Sequence, residues 1–222
     1  MSEVNLVGTT LPNYKYTKCD TPQELVAWCA RVSNPSNQNN TETAPKLLKY
    51  LIRNQHWSPL EMVNIQLEIK TTRDIARQIL RHRSFSFQEF SQRYADPTKD
   101  LGFVTREARL QDAKNRQASI EVNDNLLSNS WYHYQKKVIA ASQEAFNWAI
   151  KNGIAKEQAR AVLPEGLTES VMIMSGSLRS WVHYCQLRMD MATQKEHRIV
   201  AEQCWAIICK QFPDIIEAMT NE

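Results

Sequence analysis

MVNIQLEIKTTRDIARQILRHR, residues 62–83, changes its hydrophobic period halfway along. Val63, Ile65, Leu67 and Ile69 alternate with Asn64, Gln66, Glu68 and Lys70, the period-two pattern of a strand buried on one face. From Thr72 onward Ile75, Ile79 and Leu80 fall at helical spacing, while Asp74, Gln78 and Arg81 share another face. That spacing predicts an amphipathic helix. A strand feeding a helix, without a βαβα rhythm and without GxGxxG or GxxxxGK[ST], points to an α+β fold with an antiparallel or mixed sheet flanked by helices. Successive helical residues turn by about 100°, so Arg81 and Arg83 would diverge by about 200° on a continuing helix. Either the helix ends there, or the two arginines face different anions or different subunits.

The flanking segments fill in the pattern. Thr21-Pro22 ahead of QELVAWCARV supplies an N-cap and a proline at the first helical position, and TAPKLLKYLIRN (43–54) repeats the helical period. Glu121 to Asn152 reads as a long helix stopped by Gly153, and AKEQARAVL (155–163) as a shorter one ended by Pro164. SVMIM (170–174) reads as a short buried strand, Ser175-Gly176-Ser177 as a turn into a further helix, and Gln194 to Phe212 as the closing helix before Pro213. SNPSNQNNTET (33–43) is a surface loop by composition, and residues 96–118 read as a long connection, either mobile or functional.

At 222 residues one domain, 1–222, is expected. The net charge of +3 is too small for a generally cationic surface, so the arginines around residue 81 form a local concentration. Five cysteines at 19, 29, 185, 204 and 209 make no CxxC pair, which fits reduced thiols in a cytoplasmic protein. No apolar run approaches the roughly 18 residues of a membrane span, so no membrane partner is expected.

Ser84 to Tyr94 lacks glycine and proline and reads as an extended stretch presenting Ser86, Glu89, Ser91 and Arg93. Arg73, Arg77, Arg81, Arg83 and Arg93 lie within twenty-one residues. Solvation, or pairing with Glu89, Asp74 and Asp96, is the ordinary fate of such arginines. Like charges at i+4 nevertheless cost an isolated helix about 0.2–0.5 kcal/mol each, which an anionic ligand would offset, and guanidinium suits phosphate or carboxylate. A nucleic-acid site stacking on Phe85, Phe87 and Phe90 would use the same residues, but the mild overall charge and Glu89 argue against it. His133 reads as core edge or surface and His197 as a solvated helix position. His183 and Cys185 would splay apart on a helix, so no metal is expected. Trp57 could line a ring-stacking pocket.

Arg81-His82-Arg83, seven residues and then Ser91 reproduce RHRx7S, and the chain resembles the flavin-dependent thymidylate synthases. HWSPLE (56–61), Gln78, ARAVLP (159–164), GSLRSWVHYCQLR (176–188), Gln194 and Glu196 agree in order and spacing. The resemblance implies reductive methylation of dUMP to dTMP, with methylenetetrahydrofolate and NADPH as co-substrates and FAD as cofactor, in a homotetramer whose active sites form between subunits. It places Gln78, Arg81, Glu89, Phe90, Ser91, Gln92, Arg93, Arg160 and Arg188 at dUMP. Ser58, Arg81, His82, Arg83, Glu89, Ser177 to Arg179 and His183 fall at FAD, and His56 on the folate and flavin side. Arg188 takes the catalytic role of polarising the uracil ring, since a cation there stabilises charge that develops as C5 attacks. Gln88, Met62 and Ser177 depart from commoner motif residues. A related flavoenzyme that hydroxymethylates dUMP would carry the same residues.

Overall fold

A computed structural model describes residues 2–215 of the chain. Its centre is an antiparallel pair of nine-residue strands, β2 (Asn64–Thr72) and β6 (Glu169–Ser177), in register from Asn64 opposite Ser177 to Thr72 opposite Glu169. β1 (Glu3–Thr9) joins the far edge of β2 and β3 (Ser86–Glu89) the far edge of β6, giving the order β1-β2-β6-β3, antiparallel throughout. The α+β expectation holds. β1 had no clear sequence signal, because as an edge strand it keeps Leu6 and Val7 exposed and its period is blurred by a bulge between Leu6 and Gly8.

The alternation in residues 63–70 is realised as read. Ile65, Leu67 and Ile69 are fully buried with Met172 and Met174 of β6, beneath α8 (Leu178–Arg188) and α9 (Lys195–Gln211). Leu178, Trp181, Val182 and Cys185 of α8 and Val200, Ala201, Cys204 and Ile208 of α9 complete this core, with Leu48, Leu51 and Ile52 of α3 (Ala44–Arg53). α2 (Pro22–Ala30) starts as predicted, on a capping box between Thr21 and Glu24. The opposite face of the sheet, with Gln66, Glu68, Ser86 and Gln88, has no buried side chain at those positions.

Several expected boundaries move. Ser175-Gly176-Ser177 is the end of β6 and not a turn. Gly176 is needed because the Phe85 ring lies where its Cβ would stand, and Ser177 then caps α8 by accepting from the Ser180 N–H. The long helix, α6 (Asn125–Lys151), begins after Asp124, whose carboxylate accepts from the N–H groups of Leu126 and Leu127. Glu121 instead belongs to a hairpin of β4 (Arg109–Gln111), inside the segment expected as a connection, and β5 (Ser119–Glu121), just past its end; the segment also holds a one-turn helix, α5 (Pro97–Asp100). Residues 155–163 form one turn of α-helix, α7 (Lys156–Ala159), and a 3-10 turn rather than a continuous helix. Among the described residues no helix is long and apolar enough to cross a membrane.

The helix after β2, α4 (Arg73–Ile79), stops before the charged tripeptide. The His82 N–H bonds the Ile79 carbonyl at 3.0 Å, so Arg81 and Arg83 stand on a turn and not on a continuing helix. Of the open alternatives, the helix end is the one adopted. Ser86 and Glu89 are three apart on β3 and so take opposite faces. They cannot present together as expected.

Gly176→Ala should destabilise the fold by about 1–3 kcal/mol through overpacking against Phe85, measured as a shift in the urea midpoint. A companion Phe85→Leu change, which thins the ring above the new methyl, should recover part of the loss.

Candidate active site

α8 runs from the end of β6 and delivers Arg188 at its last turn, while α4 delivers Gln78 at its own. The two meet around His82. Arg188 Nε donates to His82 Nε2 at 2.9 Å, which leaves both terminal nitrogens of the guanidinium unclaimed by that bond. His82 packs edge-on to Tyr184, ring centroids 4.9 Å apart, and Tyr184 packs against His197. His82 is held neutral: burial, and then the Arg188 charge, lower its pKa to about 4. His197 is pushed down to about 3 by burial and by the charges of Arg188 and His82.

His197 is fully buried, which corrects its reading as a solvated position. It bonds Tyr184 Oη through Nε2 at 3.1 Å and Gln78 Oε1 through Nδ1 at 3.2 Å. Gln78 Nε2 donates to Gln194 Oε1 at 2.8 Å, and Gln194 Nε2 donates to Glu196 Oε2 at 2.9 Å. Arg109, from the hairpin, closes the line by donating to Glu196 Oε1. Tyr184, His197 and Arg109 were not expected here. His197 had a signal, since it begins the buried stripe Val200, Ala201, Cys204 and Ile208 at helical spacing; Arg109 had none, because its pairing depends on a hairpin that the sequence does not announce.

A second group gathers on the other side of α4. Arg73 and Arg77, with Gln92 and Arg160, line a cavity of ≈ 220 Å³. Arg73 pairs with Glu89 at 3.0 Å, and Ser170 Oγ donates to the same carboxylate oxygen at 2.7 Å. Arg77 pairs with Glu165, and Arg93 with Glu157. Arg160 Nε donates to the Glu157 carbonyl at 3.3 Å. Gln92 is buried, Phe90 donates its N–H to the Val171 carbonyl, and Ser91 Oγ accepts the Arg93 N–H. Arg73 thus takes an expected partner, whereas Arg77 and Arg93 are paired with glutamates other than the acids expected, and Asp74 is taken by Arg106. Arg81 and Arg83 remain exposed, with no ion pair among the described residues.

A third group lies at the start of α8. Arg179 pairs with Glu61 at 2.7 Å, and the Glu61 carboxyl is lowered by its hydrogen bond from Ser177 and then by Arg179. The rings of Trp57 and His183 lie 4.5 Å apart. His183, exposed at the surface, is lowered by burial of its ring face and by Arg179. Ser58 and His56 are exposed on the preceding turn, His56 edge-on to Tyr50. Among the described residues no cluster of His, Cys, Asp or Glu is placed to hold a metal ion.

Residues expected at dUMP thus fall into two groups, Gln78 and Arg188 on one side of α4 and Gln92, Arg93 and Arg160 on the other, with Arg81 exposed on the turn that follows α4. No hydrogen bond joins them among the described residues. Between the hairpin and the start of α9 opens a groove of ≈ 980 Å³, bordered by Arg106, Arg109, Trp131, Gln194, Lys195 and Arg198.

Residues 14–214 match the family model described as thymidylate synthase complementing protein. A probable flavin-dependent thymidylate synthase of Paramecium bursaria Chlorella virus 1 is 48% identical over 200 residues, covering 90% of this chain and 91% of that one. The flavin-dependent thymidylate synthase of Synechocystis sp. is 48% identical over 198 residues, 89% of each chain. Among solved structures, the UMP/dUMP methylase PolB from Streptomyces cacaoi, bound with 5-Br dUMP, superposes with a TM-score of 0.82 at 26% identity, covering 99% of this chain and 95% of that one.

Two outcomes follow from the pairings. Arg73→Ala leaves Glu89 without its partner in a largely buried place and should cost about 3–5 kcal/mol, whereas Arg77→Ala, at an exposed pair, should cost less than about 1 kcal/mol; urea denaturation separates them. His82 and His197 bind protons far more readily unfolded than folded. Stability should therefore be flat above the ordinary histidine pKa of about 6.5 and fall as pH drops from there toward 4. Thermal unfolding between pH 7 and pH 5 reads this, and His82→Gln should flatten the slope.

Proposed function

The chain belongs to the flavin-dependent thymidylate synthase family, and on that premise we propose that it converts dUMP to dTMP by reductive methylation, with methylenetetrahydrofolate as carbon donor, FAD as its flavin and NADPH as reductant. It is a flavin-dependent methyltransferase. The observation that carries the substrate assignment is the Arg188 guanidinium, tied through Nε to a neutral His82 and adjoining the line that contains Gln78.

That tie gives Arg188 a role. With Nε occupied, its terminal N–H groups form a fixed fork that binds a uracil carbonyl and stabilises the negative charge spreading over the ring as C5 attacks the one-carbon unit. His82, neutral at physiological pH, accepts from Arg188 and keeps the guanidinium aimed. Gln78 supplies a hydrogen-bonding amide beside it. Gln92, Ser91, Arg93 and Arg160 offer donors for the nucleotide phosphate and sugar.

The donor set at the third group fits a flavin dinucleotide. Arg81 and Arg83, exposed and without an ion pair among the described residues, suit a pyrophosphate, and Ser58, Ser177, Arg179, His183 and the neighbouring Trp57 offer polar and ring contacts. His56 lies on the same side for the folate. Glu89, committed to Arg73 and Ser170, acts by holding β3 in place rather than as a free acceptor. When bound, the flavin supplies the hydride that completes the methyl group.

We read residues 1–222 as one domain of a cytosolic homotetramer. Two observations support assembly through paired copies. The two halves of the dUMP set lie on opposite sides of α4, so a second copy is the direct way to close them around one nucleotide. α6 also exposes Leu127, Trp131, Tyr134 and Val138, spaced as one helical stripe that the described residues leave open. The five free thiols accord with a reducing compartment.

The test is anaerobic NADPH oxidation by FAD-supplemented protein with methylenetetrahydrofolate, with and without dUMP, while dTMP is assayed. Oxidation dependent on dUMP and matched by dTMP is expected. Arg188→Lys should keep its flavin and lose about 100-fold or more in kcat, because a point charge replaces the fork; full turnover in that variant would remove Arg188 from catalysis.

A further inference from the structure

The line from Arg109 to Tyr184 has only one consistent assignment of donors. A guanidinium only donates, so Glu196, held ionised by it, only accepts. Burial alone would raise the Glu196 carboxyl, but the bonds from Arg109, from a backbone N–H and from Gln194 outweigh it and lower its pKa. Gln194 must therefore turn its NH₂ to Glu196 and its oxygen to Gln78. Gln78 must then turn its NH₂ to Gln194 and its oxygen to His197. His197 must carry its proton on Nδ1, and its bare Nε2 accepts from Tyr184. Tyr184, buried and with its pKa well above the ordinary value because of burial, stays protonated and able to donate.

An amide has two N–H hydrogens and two carbonyl lone pairs. Gln194 and His197 take one of each, which leaves Gln78 one N–H and one carbonyl lone pair, in fixed order, for the dUMP assigned to it. Uracil offers the complement, a carbonyl acceptor next to the N3–H donor. Cytosine offers the reverse, an amino donor next to an N3 acceptor. A free glutamine could rotate its amide by half a turn and read either base; this one would have to break both inner bonds to do so.

Resting on the proposed function, we infer that His197 is a positioning residue for substrate specificity: with Gln194 it locks the Gln78 amide in the sense that accepts the uracil edge of dUMP and rejects the cytosine edge of dCMP. The role belongs to the ring nitrogens and not to the bulk of the side chain. Tyr184, whose hydroxyl can donate or accept, follows the tautomer and does not set it. A site built to pair a given edge rejects the wrong one strongly, because its buried polar groups are left unpaired.

The experiment compares full-length, FAD-loaded wild type with His197→Leu and His197→Asn, measuring KM and kcat for dUMP and the inhibition constant of dCMP. Leucine fills the space without a hydrogen bond, whereas asparagine keeps an N–H toward Gln78. In His197→Leu the ratio of dCMP inhibition constant to dUMP KM should fall by about tenfold or more, with kcat within about threefold, and in His197→Asn the ratio should stay within about threefold of wild type. A ratio unchanged in His197→Leu, with both constants moving together, would mean a packing role and overturn the inference while leaving the function intact. Should His197→Leu fail to fold, His197→Phe keeps a ring in place without either nitrogen; its ratio must also fall, and an unchanged ratio overturns the inference. A wild type that makes no dTMP overturns the function itself, and the specificity role falls with it.

Discussion

The rest of the molecule depends on the full-length pairing of β2 with β6. Because the strands run antiparallel and stay in register over nine residues, the helix that follows each one starts at the opposite end of the sheet. α8 then folds back across the buried face, and its last turn reaches the end of α4. Arg188 and His82, 106 residues apart in the chain, meet there. The hydrophobic alternation that makes β2 a half-buried strand is thus also what sets the distance at which these side chains face one another. A slip of one residue would turn Ile65, Leu67 and Ile69 to the other face and abolish both the core and the site.

Charge organises the site a second time, at finer scale. A neutral network of amides, imidazole and phenol could hold several hydrogen-bond patterns of similar energy. Anchoring one end on a donor-only guanidinium and an accept-only carboxylate leaves a single pattern, transmitted through Gln194, Gln78 and His197 as far as Tyr184. Burial strengthens it, since an unpaired group inside would cost about 1–3 kcal/mol. The neutral imidazoles of His82 and His197 suit this arrangement: each can accept on one nitrogen, which a protonated ring could not do.

The arginine concentration separates into two kinds of residue. Arg73, Arg77 and Arg93 are satisfied by glutamates distant in sequence, Arg73 by Glu89 on β3 and the others by Glu165 and Glu157. Arg81, Arg83 and Arg188 have no carboxylate among the described ion pairs, and they fall at the turn after α4 and the end of α8. The like-charge spacing along α4 is thus mostly relieved within the chain, and the surplus positive charge is confined to the positions that the family resemblance assigns to the nucleotide and the flavin.

The sequence by itself determined the β2 strand, the α4 helix, the α+β class and the family, because period, capping residues and the RHRx7S spacing are local properties of the chain. It also made most of the site's residues nameable, through motifs whose spacing survives without any fold. What only the tertiary structure decided was which of those residues meet. The hairpin that supplies Arg109, the edge strand β1 and the continuation of β6 through Gly176 depend on partners far away in sequence, so no local pattern marks them. The charged neighbours of His197 in the chain suggest a solvated position, yet in space it is enclosed by Tyr184, His82 and Gln78. A polar residue at the head of a buried stripe is legible only once its partners are, since burial without hydrogen bonds would be too costly to expect.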